Sequence, residues 1–209
     1  MLWHKFWLWA EFIVLFIFLP FLFLGRPLNI PPFAVLFVVT AICFLIQYVS
    51  GGEINLKFKP IPDDLRIIIA IFVIIAFLLG LLVYIFIPER LFFFPKNKPL
   101  IWLLVMIFYP VLSVLPQEFI YRVFFFHRYS SIFNNIHFLI FINSVSFAIL
   151  HIIFRNWQSV VLTFLGSFLF ARNYKKNRSL FWVSFEHYLY GGLVFTLGLG
   201  NYFYGATFS

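Results

Sequence analysis

A carboxylate and a guanidinium stand four residues apart in PQEFIYRVFFFHRYS, at Glu118 and Arg122, inside a run that is otherwise apolar. At helical spacing the two lie on one face, where each charge offsets part of the other's desolvation. An ionised group at bilayer depth costs roughly 2.5 to 3.5 kcal/mol on insertion scales, so such residues face partners or a water-filled cavity. Two histidines share this apolar setting: His151 in FAILH, with Phe147 one turn before it, and His187 in FEHYLYG, beside Glu186. One carboxylate and two imidazoles can activate a water molecule, the carboxylate taking its proton while the imidazoles orient it or hold a metal that acidifies it. The same groups can relay protons in a transporter, and Glu118 with Arg122 can equally be a structural ion pair. The residues alone leave all three readings open.

Such side chains need helices to carry them, and the composition says of what kind. Of 209 residues, 64% are hydrophobic, 11% are charged and 34 are Phe. That leaves too little polar surface to coat a soluble globule, and predicts an integral membrane protein. Apolar runs at 6–24, 32–48, 67–86, 100–126, 136–154 and 159–171 predict helices. The stretch 179–205 predicts either one Gly-weakened helix or two broken near Gly191 and Gly192. The expectation is therefore an all-α polytopic helical bundle of seven or eight transmembrane helices, with kinks at Pro110 and Pro116, which lack the helical N–H donor. Residues 1–99 read as scaffold helices and 100–209 as the core that carries the polar groups.

Charge and motif content narrow the function classes. The net charge of +8 lies mostly in Lys and Arg between apolar runs, where it meets lipid headgroups rather than nucleic acid. Counted by alternating connectors, nine basic residues against five favour a cytoplasmic N-terminus, with the cell membrane as location. The polar connectors 25–31 and 51–66 belong to the interface or the aqueous phase. Trp3, Trp7 and Trp9 read as an aromatic belt, and His4, His127 and His137 as interfacial rings at helix ends. Glu11, one to two turns into the first span, reads as structural, within reach of Lys5. The single cysteine, Cys43, forms neither an internal disulfide nor a Cys-based zinc site. No HExxH, GxSxG, GxxxxGK[ST] or CxxC is present, which argues against a zincin, a serine hydrolase and a nucleotide-driven pump.

The fragments QEFIYR, FAILH and SLFWVSFEHYLYG, in that order, together with the connecting text VLTFLGSFLFARNYKKNRSLFWVSFEH, resemble the CAAX protease and bacteriocin-processing family of intramembrane proteases. The resemblance covers roughly 100–205. That family's pattern is EExxxR on one helix, FxxxH on the next, and HxxxN or HxxxD on a later one. Carried over by position, Glu118 is the second acid, Arg122 the motif arginine, Phe147 and His151 the second motif, and His187 the third. Two positions depart: Gln117 stands where the first Glu is expected and Gly191 where Asn or Asp is expected. An amide cannot act as a base, and glycine offers no side-chain donor to an oxyanion.

What the resemblance implies is an intramembrane endopeptidase that cleaves a peptide bond in a membrane-associated protein or peptide, the substrate being lipid-modified in some members. Glu118 would be the base, oriented by Arg122. His151 and His187 would hold water or the tetrahedral intermediate, or would bind a divalent metal such as zinc together with Glu118. Gln117 or a backbone N–H would donate to the oxyanion, and Glu186 is a candidate substitute carboxylate. The alternatives are a catalytically inactive membrane scaffold and a proton-coupled transporter built on the same cluster. The partners expected are the bilayer and a peptide or protein substrate, with no nucleic acid.

Overall fold

The computed structural model describes residues 2–24, 31–52, 61 and 63–203; most of both polar connectors, with Arg26, Lys57 and Lys59, and the tail that includes Gly205 lie outside them. Among the described residues the secondary structure is helical throughout, with no strands. Five helices are long and apolar enough to cross a membrane: α1 (Lys5–Leu24), α2 (Pro32–Val49), α3 (Leu65–Phe86), α4 (Pro99–Arg128) and α5 (Ile136–Phe154). Two more, α6 (Trp157–Asn177) and α7 (Leu180–Thr196), complete the bundle. They fall short by that measure, because α6 ends in Arg172, Lys175 and Lys176 and α7 is 17 residues long. The chain is thus an all-α polytopic membrane protein, and among the described residues of the stretch, 179–203, one α-helix runs through Gly191 and Gly192, ends at Thr196 and is followed by a short 3₁₀ turn at Gly200–Tyr202.

Local sequence explains the helix ends that matter most. Asn135, Asn156 and Ser179 precede α5, α6 and α7, and each side-chain oxygen accepts from backbone N–H groups of the first turn. In α4 the two prolines do not break the helix. Pro110 opens a wide π-turn, Pro110–Val114, Pro116 sits in the regular turn Leu115–Glu118 that follows, and a second π-turn, Phe119–Phe124, carries the buried Arg122.

Burial separates lipid-facing from core-facing sides. Ile74, Phe77 and Phe86 on α3, with Leu100 and Ile107 on α4, are exposed, as a hydrocarbon solvent allows. Trp3, Trp7 and Trp9 are exposed at the start of the first helix. Phe119 to Phe126, by contrast, are buried without interruption. Phe12 and Phe16 of α1 meet Phe125 and Tyr129 edge-on, at centroid distances of 5.0 to 6.0 Å, so the first span is part of the same core as the second half of α4. Glu11 completes that contact. Its carboxylate accepts from Arg128 Nε at 3.0 Å and Nη2 at 2.8 Å and from the Tyr129 hydroxyl at 2.9 Å, so its partner is the end of α4 rather than Lys5.

Two polar ties relate the helix ends. Arg155 donates to the carbonyl of Leu24, joining the end of α1 to the turn between α5 and α6. At the far end of α6, Lys176 pairs with Asp64 at the start of α3, at 2.9 Å. Burial raises the Asp64 carboxyl, but the Lys176 ammonium and the hydrogen bonds around it outweigh this and hold it below its ordinary range.

Candidate active site

Glu118 sits where α4 passes from the regular α-helical turn Leu115–Glu118 into the second π-turn, and both it and Arg122 are wholly buried. Arg122 Nε stands 3.0 Å from Glu118 Oε2, close enough for charge pairing although not aligned as a linear hydrogen bond. The rest of the guanidinium is occupied by other helices. Nη1 donates to Asn143 Oδ1 on α5 at 2.5 Å and Nη2 donates to Ser167 Oγ on α6 at 3.1 Å. Asn143 in turn donates to the Tyr121 carbonyl at 2.6 Å. The rings of Phe147 and Phe170 lie within 5.4 and 5.9 Å of the guanidinium carbon, closing it off from lipid.

The other carboxylate oxygen reaches α7. His187 Nδ1 is 2.8 Å from Glu118 Oε1, and the imidazole stacks on Phe170 with centroids 4.9 Å apart and planes 20° apart. Its second nitrogen, Nε2, is 3.2 Å from the Tyr109 hydroxyl. Glu118 is therefore held from both sides, by a guanidinium on its own helix and an imidazole from another. His151 stands one ring further out. Its Nδ1 donates to the Phe147 carbonyl at 2.8 Å, leaving the Nε2 lone pair as its acceptor, and Phe147 touches both histidines, 4.7 Å from His151 and 5.7 Å from His187 by ring centroids.

Other residues singled out from the sequence sit differently. The Gln117 amide nitrogen donates to Ser113 Oγ at 2.8 Å, one turn back on α4, so one of its two N–H donors is engaged. Glu186 is buried and its Oε1 accepts from Asn173 on α6 at 2.7 Å. His127 and His137 are exposed at helix ends. The two best-formed clefts lie elsewhere, one lined by Arg90, Phe93, Phe94 and Phe195 among others and one by Leu24, Ile152 and Trp157 among others; Glu118, His151 and His187 line neither.

A metal ion needs several free donors. Among the described residues no three His, Cys, Asp or Glu side chains gather to ligate one. Both Glu118 oxygens and both His187 nitrogens are engaged, and the Arg122 cation stands beside the carboxylate. This donor set does not fit a divalent metal. What it does fit is proton transfer: a carboxylate oriented by a fixed cation, bonded to an imidazole, with a second imidazole nearby.

Asn143, Ser167, Phe170 and Tyr109 were not marked by motif. Asn143 and Ser167 are polar residues within apolar runs, a weak signal on its own, and Tyr109 looks from sequence like one more aromatic in a span.

Residues 98–193 match the family model described as type II CAAX prenyl endopeptidase Rce1-like. The matched segment runs from the start of α4 into α7, and so contains every residue of the Glu118 cluster. No curated protein and no solved structure matches the chain.

Proposed function

From the premise that 98–193 is a segment of the Rce1-like type II CAAX prenyl endopeptidase family, we propose that this protein is an intramembrane endopeptidase of glutamate type. Its substrate is a membrane-associated protein or peptide, cut at a peptide bond by water. The observation that carries the reading is the clamped carboxylate: Glu118 between Arg122 at 3.0 Å and His187 at 2.8 Å, with no exposure of its own.

The chemistry follows from that geometry. Arg122 stands beside Glu118 Oε2 and fixes the orientation of the carboxylate. Glu118 accepts a proton from the attacking water and returns it to the departing amine. His187 holds Oε1 in position, and His151, with Nδ1 tied to a backbone carbonyl, presents the Nε2 lone pair to a water's O–H. No metal takes part in these steps. The N-terminus is cytoplasmic and the bilayer is the cell membrane, on the charge distribution of the connectors.

The test uses the full chain in liposomes with a panel of membrane-anchored peptides, prenylated and unmodified. The wild-type protein cleaves at least one of them, and Glu118→Gln, His151→Ala and His187→Ala each lose cleavage while remaining folded in the membrane. Full cleavage by all three variants would overturn the reading. Proton or solute uptake by the same liposomes, changed by Glu118→Gln, would favour transport instead.

A further inference from the structure

The hydrogen-bonded chain at Glu118 does not end at His187. A neutral imidazole that donates from Nδ1 to a carboxylate accepts at Nε2, so the Tyr109 O–H, 3.2 Å away, is the donor to that nitrogen. Exposure rises along the chain: Glu118 is at 0%, His187 at 7%, and Tyr109 is only partly buried. Tyr109 is thus the most exposed of the three linked residues.

The backbone opposite is shaped for it. A Cβ at position 191 would overlap the Tyr109 oxygen and would lie 2.5 and 2.6 Å from two of its ring carbons, so a side chain there and the hydroxyl exclude each other. Glycine in the interior of α7 costs roughly 0.5 to 1 kcal/mol against alanine, and close approach is a reason to carry that cost. Tyr109 also packs edge-on against Phe195, 5.3 Å between centroids, and Phe195 lines the cleft that Arg90 and Phe93 border. The Tyr109 ring therefore packs against a residue that lines that cleft.

We propose that Tyr109 is a catalytic hydrogen-bond donor, whose hydroxyl, seated over Gly191, turns from His187 Nε2 to the oxyanion of the tetrahedral intermediate. This rests on the hydrolytic reading above. As the water oxygen bonds to the carbonyl carbon, the C=O π pair moves onto oxygen and the water's proton passes to Glu118. The oxyanion accepts the Tyr109 O–H. On collapse that pair re-forms the C=O bond, the C–N bond breaks, and Glu118 returns its proton to the amine nitrogen.

The experiment compares wild-type, Tyr109→Phe, Gly191→Ala and Tyr109→Ala/Gly191→Asn, in which the ring is removed to make room for the amide, each as full chain in liposomes with a cleaved peptide. Removing one oxyanion donor lowers kcat by about 10² to 10³, so Tyr109→Phe falls by that order with KM little changed. Gly191→Ala falls similarly, because its methyl displaces the hydroxyl. The double variant recovers part of the loss through an amide donor. A second readout needs no turnover: the ¹⁵N resonance of His187 Nε2 shifts when Tyr109 becomes Phe. Wild-type kcat in Tyr109→Phe, a loss confined to KM, or an unmoved His187 resonance overturns the proposal. If Glu118→Gln is inactive while Tyr109→Phe keeps full kcat, only this inference falls; if both keep full activity, the hydrolytic reading falls with it.

Discussion

Arg122 is the residue on which most of the buried polar network converges. It serves a carboxylate on its own helix, an amide on α5 and a hydroxyl on α6, and two aromatic rings shield it from lipid. Lysine would keep the charge but not the planar fork, so it cannot reach all three acceptors at once. Breaking a buried pair leaves an uncompensated charge, a cost of about 3 to 5 kcal/mol. Arg122→Ala should therefore lower the thermal transition of the purified protein in detergent by a large margin, and Arg122→Lys by less. Asn143→Ala removes an acceptor from Arg122 and a donor from the Tyr121 carbonyl, at about 1 to 3 kcal/mol on the same measurement. At this scale the spacing of Glu118 and Arg122 was readable, since helical geometry alone stacks residues four apart. Asn143 and Ser167 were not, because their partners are 21 and 45 residues away in the chain.

Among the elements, α4 and α6 do the positioning. α4 runs on through Pro110, at the start of one π-turn, and Pro116, in the regular turn between the two π-turns, and Glu118 and Arg122 face α5, α6 and α7. The sequence predicted kinks at both prolines from the missing N–H, whereas the wide turns in α4 are a local change of hydrogen-bond register that proline spacing does not specify. α6 starts at Asn156, whose Oδ1 accepts from Ser159 N–H at 2.8 Å while Nδ2 donates to the Tyr202 carbonyl at 2.7 Å. Asn156→Ala loses a helix cap and a tie to the segment after α7. A destabilisation of about 1 to 2 kcal/mol is expected, read as an earlier thermal transition in detergent, against near-neutrality for Lys175→Ala in the solvated last turn.

For the whole molecule, the two polar ties at the ends of α6 define its sidedness. Arg155 joins the end of α1, and Lys176, a helix length away, joins the start of α3. Cys43 is fully buried, so the native thiol gives little background. Arg155→Cys and Lys176→Cys should label with a membrane-impermeant thiol reagent from opposite faces, with Lys176→Cys on the same face as the N-terminus. Labelling of both from one face would contradict α6 as a crossing helix. A chelator should leave cleavage intact at this scale of test, because the Glu118 cluster offers a metal no free set of donors.

By itself the sequence determined that the chain is helical and lives in lipid, because a 64% hydrophobic composition admits no other solvent, and it marked Glu118, Arg122, His151 and His187 as polar residues that needed a reason. Only the tertiary structure decided how those residues group. Glu118 is clamped between Arg122 and His187, His151 stands across the Phe147 ring, Gln117 and Glu186 turn to Ser113 and Asn173, and Tyr109 fills the room over Gly191. The physical reason is that helical periodicity orders neighbours within one helix, whereas contacts between helices depend on the rotation and register with which they pack.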